Sequence, residues 1–286
     1  MVLPPSFVRH RQSGVTLWVD REFVDPVFLD ALAEADGLFA LPTCQIVKDQ
    51  KKIKVARLGL SIAGRERILY VKRYNSFSLR FKVLSPLFRS GALRSLRGAG
   101  ILARGGIASA RPVAALEKRK YAVLLHSFFI SDEIAGGKTA DAYWMEHLRS
   151  RSGPEGFRCR RRFIERLAGL FQSLHAARIY HNDLKDANIL AVGRNGHTDC
   201  ALFLLDLEGV RQCHRIGERR RVKNLVQLYR TLGGYLSRPQ QLFFLKAYLE
   251  ASFLDRGCKR RWIGRVLRRA RRIDRVKGQQ DARAAC

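Results

Sequence analysis

The sequence predicts an α+β protein with a small β-rich lobe followed by a mostly helical one. Three features carry that expectation: short apolar runs broken by turns from Cys44 to about Ile130, a loss of pattern at Ser131–Gly137, and helical periodicity beyond it. Residues 1–43 read as an irregular lead-in with one short helix over Pro26–Asp36. From Cys44 the runs CQIV, KIKVARLGL and ERILYVKRY are rich in Val, Ile, Leu and Tyr and are separated by charged or Gly-containing turns, as strands are. Phe88–Arg104 then sets Leu and Ile at helical spacing with arginines between them. Arg111–Leu116 and Tyr121–Ile130 return to β character on either side of the charged turn EKRK. The expected division is a lead-in over 1–43, a first lobe over 44–130 and a second lobe over 131–286, with a hinge near 131–137.

In the second lobe, Phe157–Ala177 is amphipathic, with Phe163, Leu167, Leu170, Phe171 and Leu174 on one face. Asn188–Val192 and Ala201–Leu205 flank an Asn195-Gly196 pair, a strong hairpin signal because both turn positions must adopt positive φ. Helical stretches follow over roughly 219–233, 238–254 and 258–275. In the last of these, Trp262, Ile263, Val266, Leu267, Ala270 and Ile273 recur at helical spacing and arginines fill the other positions. Two readings are open: a helix lying on a membrane surface with its arginines on anionic headgroups, or a packed helix with an exposed basic back.

Composition bounds the function. The chain has 286 residues, 47% hydrophobic and 28% charged, which is globular and large enough for a real core. Lys and Arg total 54 against 25 Asp and Glu, so the net charge is +29 and the partners to expect are polyanions. No nucleic-acid motif accompanies the charge and aromatics do not interleave with it, so no specific nucleic-acid partner is expected. The six cysteines form no CxxC pair and read as reduced thiols; the Cys213-His214 neighbours lack a second pair that would make a zinc site. The opening MVLPPSFVRHRQSG has no apolar core of signal-peptide length, and apolar runs reach about ten residues where a spanning helix needs roughly 20. The expected place is inside the cell, either soluble or membrane-associated, without a spanning helix.

The chemistry is concentrated in one stretch. Tyr180-His181-Asn182-Asp183-Leu184-Lys185-Asp186-Ala187-Asn188-Ile189-Leu190 is followed, after the hairpin, by Leu204-Leu205-Asp206-Leu207-Glu208-Gly209. Upstream, Lys72 sits in ILYVKRY at the end of a strand. Phosphoryl transfer is mostly positioning and charge neutralisation, and it needs these groups: a carboxylate for the attacking hydroxyl, oxygen ligands for metal, and a cation on the phosphates. Asp183 fits the base or hydroxyl-orienting role, Asn188 and Asp206 fit Mg²⁺ ligands, Lys72 fits the α/β-phosphates of ATP, and Lys185 fits the transferred γ-phosphoryl group. His181 reads as a brace of the loop, His175 as a packed helix residue, and Glu208 as either a metal contact or a solvent-facing loop residue.

HNDLKDANIL followed by LLDLEG resembles the catalytic loop and metal-binding aspartate of the protein-kinase-like superfamily. VKRYNSF, RSLRGAGILARGGIASARPVAALE and RRRVKNLVQLYRTL more narrowly resemble the bacterial lipopolysaccharide core kinases, which comprise Kdo and heptose kinases and their relatives. The resemblance spans roughly residues 44–254. It implies a bilobal protein-kinase-like fold and ATP- and Mg²⁺-dependent phosphorylation of a Kdo or heptose hydroxyl in the lipopolysaccharide inner core. The substrate would be an inner-core or lipid A glycolipid, met at the anionic cytoplasmic face of the inner membrane.

Two departures stand out. No GxGxxG occurs, and Lys48-Asp49-Gln50-Lys51-Lys52 offers cations where a glycine-rich loop would hold phosphates. The helix that should supply a glutamate to Lys72, Phe88–Arg104, has no acidic residue, and Glu117 is the nearest candidate in sequence. Only about a dozen residues separate Asp206 from the next helix, and no Ala-Pro-Glu follows, which favours a small or lipid-borne hydroxyl over a protein acceptor. Another kinase of the superfamily and an inactive glycolipid-binding module are the alternatives.

Overall fold

The computed structural model describes residues 4–12, 14–75, 88–121 and 123–284. Ser76, Phe77 and Cys286, quoted above, lie outside the described residues. The chain divides into two compact units. The first comprises Met1–Arg104, Ser109–Ile134 and Asp206–Val210; the second comprises Gly105–Ala108, Ala135–Leu205 and Arg211–Cys286.

The first unit is built on strands β1 (Phe7–Gln12), β2 (Val15–Asp20), β3 (Gln45–Gln50), β4 (Ile53–Ile62), β5 (Arg65–Asn75), β6 (Pro112–Lys120) and β7 (Val123–Asp132), with helices α1 (Pro26–Ala33) and α2 (Gly91–Arg104). The strands form one antiparallel sheet in the order β1-β2-β6-β7-β5-β4-β3. The expected irregular lead-in is thereby corrected, because residues 7–20 form a hairpin that extends the sheet. β1 gave no apolar run because it is an edge strand whose Arg9 and Arg11 face outward, an arrangement that also blocks pairing with other chains. Leu17, Val19, Leu58, Leu69, Val71, Leu116, Phe128 and Ile130 make the apolar face of the sheet, and Phe28 and Leu32 of α1 close over it. Asp25 starts α1 by accepting the Phe28 N–H at 2.9 Å, with Pro26 in the first turn where its missing N–H costs nothing.

α2 begins at Ser90, whose Oγ accepts the Leu93 N–H at 3.2 Å. The helix packs on β6 and β7 and on the segment just after Asp206. That last contact depends on Gly98: a Cβ there would collide with the Leu207 carbonyl and approach the Val210 Cβ to 3.2 Å. Backbone cannot swing aside as a side chain can. Gly98→Ala is therefore expected to lower the unfolding free energy by about 1–3 kcal/mol, outweighing the gain of roughly 1 kcal/mol that alanine brings to a helix. A denaturant titration that found the variant more stable than wild type would contradict the contact.

The second unit contains β8 (Lys138–Thr139), α3 (Ala140–Tyr143) running into a π-helical turn over Trp144–Leu148, α4 (Gly153–Ala176), β9 (Ile179–His181), β10 (Ile189–Arg194), β11 (Asp199–Leu204), α5 (Glu218–Tyr229), α6 (Arg238–Leu249) and α7 (Arg256–Ala284). β10 and β11 form the expected hairpin, with Arg194 opposite Asp199, and Asn195 and Gly196 at φ of 48° and 63°. α4 buries Phe163, Ile164, Leu167, Phe171 and Leu174; Leu170 is only half-buried, so the stripe is turned by about one position from the expected one. The apolar stripe of α7 faces protein. Trp262 and Ala270 are buried, and Ile263, Val266 and Leu267 line a cavity of about 180 Å³ with residues of α5 and α6. Of the two readings of this helix, the packed one is observed. No described helix is long and apolar enough to cross a membrane.

Candidate active site

In the second unit a short segment between β9 and β10 brings three of the expected residues together. Asn188 Nδ2 donates to the Asp183 carbonyl at 2.7 Å and to its Oδ2 at 3.1 Å, and Lys185 Nζ lies 2.8 Å from the same Oδ2. The five-residue spacing is what lets Asn188, at the end of a single 3₁₀ turn over Asp186–Asn188, reach back to Asp183. One Asp183 oxygen is thus held by two donors while the side chain stays 43% exposed, which suits a group that must meet a substrate.

His181 braces this loop, as expected, and the hydrogen bonds fix its tautomer. The Asp183 N–H donates to Nδ1 at 3.2 Å, so Nε2 carries the hydrogen and donates to the Leu205 carbonyl at 3.0 Å. That second bond ties the loop to the residue just before Asp206. The Leu205 N–H donates to the Asn188 carbonyl at 2.9 Å, closing the tie from the other side.

Helix α5 supplies residues that the sequence reading passed over. Asn224, fully buried, donates from Nδ2 to the His181 carbonyl at 2.7 Å. Gln227 Nε2 donates to the Asn182 carbonyl at 2.7 Å, and Gln227 Oε1 accepts the Leu184 N–H at 3.2 Å. A visible signal existed: two amides three residues apart among the Val and Leu positions of VKNLVQL lie side by side on a helix, and a buried amide must find partners.

His175 continues this network. Since Asn224 Nδ2 is used as a donor, its Oδ1 accepts from His175 Nε2 at 3.2 Å, and His175 Nδ1 accepts from the Tyr248 hydroxyl at 2.8 Å. His175 is a packed residue, as expected, and it also orients Asn224. Burial holds its pKa down at about 4, the Asn224 bond opposing only part of that. As pH falls below about 6.5 the unfolded imidazole takes a proton that the folded one refuses until about 4. Stability is therefore expected to fall across that window by up to about 3 kcal/mol. Denaturation midpoints at pH 7, 5.5 and 4.5 check it: His175→Gln should show a flatter acid limb than wild type, and parallel limbs would refute the assignment.

In the first unit, Lys72 on β5 meets Asp206. Lys72 Nζ lies 2.6 Å from Asp206 Oδ1 and over the ring of Tyr74, 5.0 Å from its centroid. Burial disfavours the ammonium, while Tyr74, Asp206 and Glu208 favour it, and the balance raises its pKa above the ordinary lysine value. Lys72 thus stays a cation at every physiological pH. Asp206 has φ of 53°, a left-handed conformation rare outside glycine and held here by its surroundings. The lysine-rich stretch expected to replace a glycine loop forms the β3–β4 hairpin, with Lys48, Lys51 and Lys52 exposed.

Glu117 is not the partner of Lys72. It is buried, its Oε1 accepting the Ser90 N–H at 3.3 Å and its Oε2 the Arg119 Nε–H at 2.9 Å, so it anchors the start of α2. The helix contributes a cation in place of a glutamate: Arg94 forms a close ion pair with Glu208, two residues beyond Asp206. Glu208 is therefore an ion-pair partner, and the structure selects neither expected reading of it.

Among the described residues no cluster of three or more His, Cys, Asp or Glu is disposed to hold a metal. The expected Mg²⁺ ligands, Asn188 and Asp206, offer only hard oxygens, and Mg²⁺ typically takes one or two carboxylates together with phosphate oxygens and water. Because Asn188 uses its Nδ2 on Asp183, its Oδ1 is the atom left for a cation. The donor chemistry fits the ion.

Comparison with known proteins adds the family. Residues 53–248, more than half of the chain, match the lipopolysaccharide kinase (Kdo/WaaP) family. The chain belongs to this family. No curated protein matched. Among solved structures, WaaP in complex with acyl carrier protein is similar with a TM-score of 0.62 and 22% identity, covering 87% of this chain and 97% of that one. At that identity the likeness concerns the fold, which for this lipopolysaccharide kinase family member is α+β and kinase-like, with a β-rich N-terminal part and a helical C-terminal part.

Proposed function

We propose that this lipopolysaccharide kinase transfers the γ-phosphoryl group of ATP, with Mg²⁺, to a Kdo or heptose hydroxyl of the inner core. The observation that carries the reading is the Asp183 carboxylate, fixed by Asn188 and Lys185 and still open to solvent. Asp183 orients the acceptor hydroxyl and takes its proton at the free carboxylate oxygen. Lys185 gives up part of its hold on Asp183 to the incoming γ-phosphoryl oxygens. Lys72 binds the α/β-phosphates. Mg²⁺, held by Asn188 and Asp206, would neutralise charge on the phosphates.

The alternative of an inactive binding module rested on the missing helix glutamate. Lys72 has a carboxylate partner in Asp206 without it, which favours an active enzyme. The short path from Asp206 to α5, eleven residues between Asp206 and Glu218, supports a glycan acceptor over a peptide, which would need a longer docking segment. At the membrane the protein would attach peripherally through its basic surface.

The test is transfer from labelled ATP with Mg²⁺ to purified Kdo₂-lipid A, with Asp183→Ala as the control. Label in the glycolipid that disappears in the variant is the expected result. Label in a different acceptor would redirect the reading to another kinase specificity, and glycolipid binding without ATP turnover would move it to the inactive module.

A further inference from the structure

Helices α5 and α7 leave a groove of about 780 Å³ lined by Arg219 and Val222 on one side and by Arg265, Arg268, Arg269, Arg272, Ile273 and Val276 on the other. Five guanidinium groups converge on it. Arg265 is matched by Glu218 at 2.5 Å, but among the described residues no carboxylate pairs with Arg219, Arg268, Arg269 or Arg272. Like charges do not gather in a confined space without an opposing cost, so a concentration of this kind is matched to an anion of high charge density. The planar guanidinium fork suits phosphate, to which it can donate two parallel hydrogen bonds.

The groove is also held in shape. α7 is anchored by Trp262 and Ala270, both buried, so the arginines project from a fixed backbone and a ligand need not order the helix. Among the described residues no aromatic side chain lines the groove to stack a nucleobase, and Val222, Ile273 and Val276 give it an apolar floor. Clustered phosphates beside apolar or sugar surface match that lining better than a nucleotide does.

We propose that this groove docks the phosphomonoester groups of a membrane-borne glycolipid. The identity of the ligand as a glycolipid rests on the function proposed above; the groove's preference for phosphomonoesters rests on its arginines alone. The mode differs from an amphipathic helix dipping into lipid, because Trp262 and Ala270 of the apolar stripe of α7 are buried against protein.

The test uses the full chain and reads binding alone, so it succeeds or fails apart from any kinase assay. Co-sedimentation is measured with phosphatidylcholine vesicles containing bis-phosphorylated lipid A, and with vesicles brought to equal surface charge by phosphatidylglycerol. Arg268→Glu/Arg272→Glu is expected to weaken binding to the lipid A vesicles at least about tenfold. Arg260→Glu/Arg271→Glu makes the same change in net charge on exposed positions of α7 outside the groove, and is expected to stay within about threefold of wild type. Inorganic pyrophosphate should displace wild type from lipid A vesicles. Equal losses in the two double variants would reduce the effect to bulk charge and overturn the site. Equal binding to phosphatidylglycerol vesicles would overturn the phosphomonoester assignment. Thermal unfolding of each variant confirms that it is folded.

Discussion

Asp183→Asn is expected to slow phosphoryl transfer by about 10²–10⁴-fold, the range that positioned acid–base groups contribute, with folding unchanged. The loop conformation does not hang on the carboxylate charge. Asn188 also holds the Asp183 carbonyl, His181 accepts the Asp183 N–H, and Asn224 and Gln227 fasten the residues on either side. What the substitution removes is the proton acceptor and the anionic partner of Lys185. KM for ATP should change little, since the residues assigned to the phosphates are untouched, and the loss should fall on kcat. Steady-state kinetics on Kdo₂-lipid A, with circular dichroism as the fold control, separates these effects. A variant retaining more than about a tenth of wild-type kcat would remove Asp183 from the chemistry.

The residues of this loop were legible in the sequence because few side chains do the work and their spacing along the chain is short. Asp183, Lys185 and Asn188 lie within six positions, so a local turn ending in one turn of 3₁₀ helix brings them together. The strands from Cys44 onward were legible for a different reason, whereas β2, whose run VTLWV lies inside the sheet, was passed over with the lead-in. β4, β5 and β7 lie inside the sheet and need continuous or alternating apolar runs, whereas edge strand β1 carries basic residues and has no such signature. β9, only three residues long, is too short to leave a periodic pattern.

Long-range polar pairing left no trace to read. Glu117 was the sequence neighbour of the expected helix, and proximity along the chain favoured it; the fold gave it to Ser90 and Arg119 instead. Arg94 and Glu208 are 114 positions apart, and the packing of α2 on the segment after Asp206, close at Gly98 and the Leu207 carbonyl, brings them together. Of the arginines set between the Leu and Ile positions of α2, Arg94 is an ion-pair partner.

That pair yields the other large expected effect. The Arg94 and Glu208 side chains are 38% and 26% exposed, so their attraction is partly screened but not lost. Glu208 also acts electrostatically on Lys72, favouring its charged form. Without Arg94, the Glu208 carboxylate is left to compete with Asp206 for Lys72, and the cation would be drawn away from the phosphates it is assigned to bind. Arg94→Glu, which adds repulsion to the lost attraction, is expected to lower kcat/KM about 100-fold, near 3 kcal/mol at the upper end of couplings between contacting residues. Because Lys72 is the group displaced, KM for ATP should rise. Glu208→Arg should behave alike. The double exchange, Arg94→Glu with Glu208→Arg, restores the pair in the opposite sense and should recover activity to within about tenfold of wild type. The recovery distinguishes a positioning role from simple structural damage, since two independent lesions would multiply. Single variants that keep wild-type KM for ATP, or a double variant no better than either single one, would show that the ion pair does not position Lys72 and Asp206.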